Sequence, residues 1–271
     1  MRGFRLSKPA LGLAFLALFG SSIVMAQAAS DALAQYREMM ADDNPADLWV
    51  TRGAELWKAP RGPRQVSLEQ CDLGLGAGVT KGAYAALPRY FNDAKKVMDL
   101  ETRLAHCMVT LQGMKLEDVV RQPYGSGSRR SDFEALAAYI AEQSRGMKVS
   151  VPLRNKAERK AYALGEQIFF YRGGTHDFAC ATCHGETGTR IRMQDLPNLA
   201  EQADARKAYV AWPAYRVSQG ELRTMQWRMN DCLRQQRFPD LAFGSEASIA
   251  LITYLAHNAD GGVMAAPGLK R

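Results

Sequence analysis

Cys180-Ala181-Thr182-Cys183-His184 reads Cys-x-x-Cys-His, the attachment signature of a c-type haem. In such a site the two thiols add across the vinyl groups and the imidazole ligates iron. Cys-x-x-Cys alone would serve equally as a redox dithiol or as half of a zinc site. The histidine directly after it, the helical pattern before it and the signs of export favour haem. With two cysteines and one axial histidine assigned, the sixth ligand of the iron is the next thing to find.

The chain opens with a basic front (Arg2, Arg5, Lys8), an apolar run from Leu11 to Met25 and small residues at Ala26, Ala28 and Ala29. That order predicts a secretory signal peptide over residues 1–29. The apolar run is short and broken by Gly20-Ser21-Ser22, which argues against an uncleaved membrane anchor. Haem attachment outside the cytoplasmic membrane agrees with export and places the protein in the periplasm, where disulfides are permitted. Three of the 35 basic residues and none of the 28 acids lie in the signal, so the formal charge of +7 falls to +4 in the remainder. A mildly basic surface of this kind suits an acidic partner or an anionic substrate. Its Arg and Lys residues are scattered rather than gathered with aromatics, which gives no indication of nucleic acid.

About 240 residues remain after the signal, enough for two small domains. A duplicated pattern supports that division. Gly53 and Trp57 stand four apart on a helical stretch, as Gly165 and Phe169 do before the haem motif. Cys71 follows the first pair and Cys180 the second. Arg103 and Cys107 are four apart, and so are Arg228 and Cys232. The helical pattern of Asp132 to Gln143 returns at Ser245 to His257. Helical spacings recur throughout and alternating runs are short, so the expected fold is mostly α. Two tandem class I cytochrome c-like units are predicted, over 30–150 and 151–271, the first without haem. The boundary falls near Gly146 to Asn155, where Val149-Ser150-Val151-Pro152 reads as extended. Ser30 caps a further amphipathic segment carrying Leu33, Tyr36 and Met40.

The first unit lacks the attachment motif. After Cys71 the positions of the second cysteine and the histidine hold Gly74 and Leu75. In an oxidising compartment its two cysteines, Cys71 and Cys107, are expected to pair, the alternative being two buried free thiols. Cys232 is then the odd thiol of five, which calls for an explanation. It lies on a helix predicted over Glu221 to Arg234, where a class I cytochrome c offers its axial ligand. A thiolate there would stabilise ferric iron. Met229 is the rival ligand on the same helix, with Met225, His176 and His257 behind it. Arg228 shares the face of Cys232 and could hold a sulfonate by two parallel hydrogen bonds, or be one solvated arginine among several. His106 reads as a packed or surface histidine, and no second cluster at metal-ligand spacing is visible.

The runs Val66-Ser67-Leu68-Glu69-Gln70-Cys71-Asp72-Leu73-Gly74-Leu75-Gly76, Lys81-Gly82-Ala83-Tyr84 and Leu87-Pro88-Arg89-Tyr90-Phe91 closely resemble the SoxA family of bacterial sulfur oxidation, as do Cys180 to Gly185 and Trp227-Arg228-Met229-Asn230-Asp231-Cys232. The resemblance implies the larger subunit of a SoxAX cytochrome, of the single-haem branch. It implies a haem c with His184 and Cys232 as iron ligands, the cysteine able to carry extra sulfur. It also implies an L-cysteine S-thiosulfotransferase that joins thiosulfate to a cysteine of the SoxYZ carrier. Electrons would pass to the small cytochrome SoxX and on to a downstream cytochrome c. Arg228 falls on the family's arginine four residues before the ligand cysteine. The competing expectation is a simple periplasmic electron-transfer cytochrome c with Met229 on the iron. A haem peroxidase would need an open iron position or a second haem, which the degenerate first site argues against.

Overall fold

The computed structural model describes residues 44–127, 129–191 and 194–270. The signal peptide and the segment after Ser30 lie outside the described residues. In the first half, helix α1 (Asp47–Lys58) stops at Ala59, before a proline that cannot continue it. A hairpin of β1 (Arg89–Phe91) and β2 (Lys96–Met98) follows. Asp99 then caps α2 (Leu100–Thr110), its Oδ1 accepting the Thr102 N–H at 2.9 Å. A short helix α3 (Leu116–Val120) leads to α4 (Asp132–Glu142), which Ser131 caps. Helix α4 returns to cross α1 at Gly53, where an added methyl would fall 2.0 Å from the Ala135 carbonyl oxygen and 2.7 Å from Cβ of Tyr139.

The second half repeats the plan. Helix α5 (Lys156–Phe170) opens with a reciprocal cap between Asn155 and Glu158. The haem motif forms its own short helix, α6 (Cys180–His184). A small hairpin of β3 (Arg190–Ile191) and β4 (Gln194–Asp195) precedes α7 (Gln202–Tyr209). Strands β5 (Ala214–Arg216) and β6 (Glu221–Arg223) lead into α8 (Met225–Gln235), followed by α9 (Glu246–Asn258) with Ser245 as its cap. The C-terminal β7 (Gly268–Lys270) pairs in parallel with β5, giving the order β6-β5-β7. Helix α9 crosses α5 at Gly165, where a methyl would lie 2.0 Å from the Ala250 carbonyl oxygen and 2.9 Å from Cβ of Tyr254. The same glycine, carbonyl and tyrosine therefore close both halves.

The helix expected from Glu221 begins at Met225 instead. Glu221–Arg223 pair with Ala214–Arg216, and Thr224 takes the cap, its Oγ1 accepting the Trp227 N–H at 3.4 Å. The segment between the halves is extended as the sequence suggests. It is held by Val149 N–H to Gly262 O and Ser150 N–H to Ala85 O, both 2.8 Å, so it packs against both halves. Pro45–Arg271 forms one unit with a shared apolar core that includes Trp57, Leu104, Phe169, Met229 and Leu251. No helix of the described residues is long and apolar enough to cross a membrane.

A polar seam locks the start of α8 onto the first half. Thr224 Oγ1 donates to Glu101 Oε1 at 2.8 Å and Gln226 Nε2 donates to Asp99 Oδ2 at 2.7 Å. Arg223 Nη1 donates to Glu134 Oε1 at 3.0 Å and to Gly125 O at 2.9 Å. All six side chains are buried, so each bond removed would strand a desolvated group. Burial holds the Glu101 and Asp99 carboxyls above their ordinary range, and pushes Glu134 up to about 7 against the opposing pull of Arg223.

In the first half Cys71 and Cys107 are bonded, across 36 residues of chain. Chain-entropy reasoning gives such a loop about 4 kcal/mol, and disulfides typically contribute about 2 to 4 kcal/mol. The double variant Cys71→Ala/Cys107→Ala is expected to lose that much stability in denaturant unfolding. A midpoint equal to that of the oxidised protein would show that the crosslink adds nothing.

Candidate active site

Helix α5 delivers the chain to α6 after the turn Gly173–Phe178. Within α6, Thr182 Oγ1 accepts the Ala179 N–H at 2.9 Å and so fixes the first turn. Cys180, Cys183 and His184 are all partly buried, and both thiols are free. His184 Nδ1 stands 3.0 Å from the Pro197 carbonyl oxygen. A carbonyl only accepts, so the ring donates from Nδ1 and keeps the Nε2 lone pair for a metal. Burial lowers the pKa of His184, the Pro197 bond opposes this, and nearby Arg228 reinforces it.

Helix α8 brings further groups within electrostatic reach of these. One face of it is fixed: Met225, Gln226, Trp227, Met229 and Asn230 are buried. Asn230 closes a double bond with Leu241, receiving its N–H at 2.7 Å and donating to its O at 3.0 Å. That leaves Arg228, Asp231 and Cys232 on the remaining face. Arg228 Nη1 donates to Asp231 Oδ2 at 2.7 Å. Cys232 lies within electrostatic reach of Cys180 and Cys183, and of Arg228. Burial pushes the Cys180 thiol up to about 11, with Cys232 adding to the rise. Burial also raises Cys232, while Arg228 and, more weakly, Arg216 pull it down.

The donor set fits haem c. Two free thiols three apart on one helical turn suit two thioether bonds, and the adjacent imidazole has the tautomer a metal needs. A third free thiol, Cys232, comes from α8. The other sequence candidates lie elsewhere in chemical terms. Met225 and Met229 are members of the main apolar core. His257 Nδ1 is 2.7 Å from the Val151 carbonyl oxygen, and its ring stands edge-on to Tyr162. His176 is exposed beside Phe178, and His106 sits 3.5 Å from Asp93. Among the described residues no group of three or more His, Cys, Asp or Glu is placed to hold a free metal ion.

The corresponding positions of the first half are bonded differently. Asp72 Oδ1 accepts the N–H groups of Gly74 and Gly76, at 2.6 and 2.9 Å, closing a turn where the second half carries its haem motif. Arg103, the counterpart of Arg228, donates from Nε to Asp72 O at 2.6 Å, pairs with Asp93 at 2.8 Å and covers the Phe91 ring. Arg89 donates to Gly74 O. Each cation there is committed to holding a loop.

Sequence reading missed Pro197, Arg216 and Arg223. Each acts through a partner distant in the chain, and nothing in the local pattern marks it.

The family described as SoxA/TsdA, cytochrome c domain, matches residues 52–149 and 164–264, one match per half. The L-cysteine S-thiosulfotransferase subunit SoxA of Hydrogenophilus thermoluteolus is 50% identical over 240 residues, covering 89% of this chain and 88% of that one. The protein of the same name from Hydrogenobacter thermophilus is 35% identical over 228 residues, covering 84% and 82%. The crystal structure of SoxXA from P. pantotrophus superposes with a TM-score of 0.71 at 24% identity, over 88% of this chain and 84% of that one. With both halves matched and half of the aligned residues shared with a SoxA subunit, this chain belongs to the SoxA/TsdA family of c-type cytochromes.

Proposed function

We infer that this chain is the larger subunit of a periplasmic SoxAX cytochrome, acting as an L-cysteine S-thiosulfotransferase. The observation that carries the reading is the convergence of Cys232 and Arg228, from α8, on Cys180, Cys183 and His184. Cys180 and Cys183 would hold a single haem c, with His184 and Cys232 as its iron ligands. Bound there, haem would supply one-electron redox chemistry. The first half carries no haem, a reading supported by the bonded Cys71 and by Gly74 and Leu75 at the motif positions. The names of the relatives support the substrate class.

The reaction joins the outer sulfur of thiosulfate to a carrier cysteine. One S–S bond forms, the S–H bond breaks, one proton leaves, and two electrons pass through SoxX to a downstream cytochrome c. Cys232 serves as the relay sulfur. It first gains the thiosulfate group with loss of a proton and two electrons. A thiolate of the SoxYZ carrier then attacks the middle sulfur of that adduct and releases the Cys232 thiolate. Arg228 holds the sulfonate oxygens by charge-assisted hydrogen bonds. Among the described residues its ion pair is with Asp231, one turn away on the same partly buried face.

The test is mass spectrometry of the carrier after incubation with thiosulfate, the haem-loaded subunit, SoxX and an electron acceptor. The expected result is a thiosulfate adduct on the carrier cysteine that needs all four components. Haem reduction and reoxidation without any adduct would establish the simple electron carrier instead.

A further inference from the structure

Strand β5 ends on Arg216, and the chain turns back at once through Gln219 and Gly220, whose N–H groups both bond to Arg216 O at 2.9 Å. The residue is partly buried and its Nε is fully shielded from solvent, yet that atom has no hydrogen-bond partner. The guanidinium forms no ion pair among the described residues. A buried donor on a full charge is costly to leave unmet. Cross-strand Glu221 does not meet it. Glu221 Oε2 lies beside Gly125 and is itself unbonded.

The neighbours of Arg216 make the imbalance sharper. Arg228, Asp231 and Cys232 all lie within electrostatic reach of it. Arg223 is paired with Glu134, and Asp231 is shared by Arg228 and Arg234, at 2.7 and 3.6 Å. The guanidiniums of Arg216 and Arg228 thus lie near one carboxylate and the Cys232 sulfur, and that carboxylate is also shared by Arg234. A dianion placed there would balance the charge, and a sulfonate presents oxygens in the geometry that two planar guanidinium forks accept.

We propose that Arg216 is a second substrate-positioning residue, which with Arg228 grips the sulfonate of thiosulfate beside Cys232. The proposal rests on the thiosulfate reading given above. Arg216 comes from the sheet and Arg228 from the helix, so the anion is held between two independent elements. Its outer sulfur is then directed by the frame of the protein and not by one mobile side chain.

Calorimetric titration of thiosulfate into the haem-loaded complex, without carrier, tests this directly. Arg216→Gln should weaken binding about tenfold or more, corresponding to about 1.4 kcal/mol. Arg216→Lys should restore part of it, and the absorption spectrum and midpoint potential should stay as in wild type. Unchanged affinity in Arg216→Gln would overturn the proposal. So would a changed potential or haem loading with affinity intact, which would assign the guanidinium to the haem's own carboxylates. Wild-type protein that binds thiosulfate through Arg216 but forms no carrier adduct would overturn the transferase reading and leave this site standing.

Discussion

Cys232→Ala, loaded with haem and assembled with its partner cytochrome, is expected to lose thiosulfate conjugation to the carrier by about 10³-fold or more. Losses of that size follow removal of a residue that forms the covalent intermediate. The variant should still fold. Cys232 is only partly buried, and the contacts that fix α8 run through Thr224, Gln226 and Asn230 on another face. Haem attachment should also survive, because it depends on Cys180 and Cys183. Two readouts therefore separate. Covalent haem, seen after denaturation, should match wild type, while the spectrum of the folded protein and its potential should change as a thiolate ligand is lost. Thiosulfate affinity should fall little, since Arg216 and Arg228 remain. Full conjugation by Cys232→Ala would remove the relay sulfur from the mechanism. It would leave Met229 to be considered as a ligand and the carrier thiol as the direct acceptor.

The parts of this site that were legible in the sequence are those written in local order. Cys180, Cys183 and His184 are three residues of one helical turn. Arg228 and Cys232 are one turn apart on one helix, so their shared face follows from the 3.6-residue period. The paired helices were readable for the same reason, with Ser131, Asn155 and Ser245 acting as caps where polar residues precede apolar periodicity. Cys71 and Cys107 were paired by counting within an exported chain, and the structure joins them.

What could not be read depends on distant segments meeting. Glu221–Arg223 look helical alone and become a strand only because Ala214–Arg216 lie alongside. Arg216 carries no local signal, since its importance comes from what fails to pair with it. The seam of Glu101, Asp99 and Glu134 onto residues 223–226 joins groups 89 to 127 positions apart. That seam gives the first half a role in the site. It holds the start of α8, and so the phase at which Cys232 and Arg228 emerge three turns of chain or less from the clamp.

Gly165→Val should prevent assembly of the second half, an effect well beyond the roughly 1 to 3 kcal/mol that overpacking ordinarily costs. The reason is what the new atoms would strike. Even a methyl at this position would sit 2.0 Å from a backbone carbonyl of α9, that of Ala250, and only 2.6 Å from the carbonyl carbon. Backbone in the middle of a thirteen-residue helix cannot step aside as a side chain can. Relief requires the two helices to part. That would open the contacts of Phe169 with Tyr254, whose rings are 5.0 Å apart, and of Tyr162 with the same ring at 5.4 Å. Parting α5 from α9 also loosens the approach of α6, which follows α5 by only a turn, so haem incorporation should fall with stability. Gly53→Val offers the matched comparison. Its methyl would meet the Ala135 carbonyl oxygen at the same 2.0 Å, but in the half stapled by Cys71 and Cys107. The expected outcome is strong destabilisation in both variants, with loss of covalent haem greater for Gly165→Val. A Gly165→Val protein that took up haem normally and melted within a few degrees of wild type would show that the close crossing is not needed. The duplicated glycine would then lose its claim to be what shapes each half.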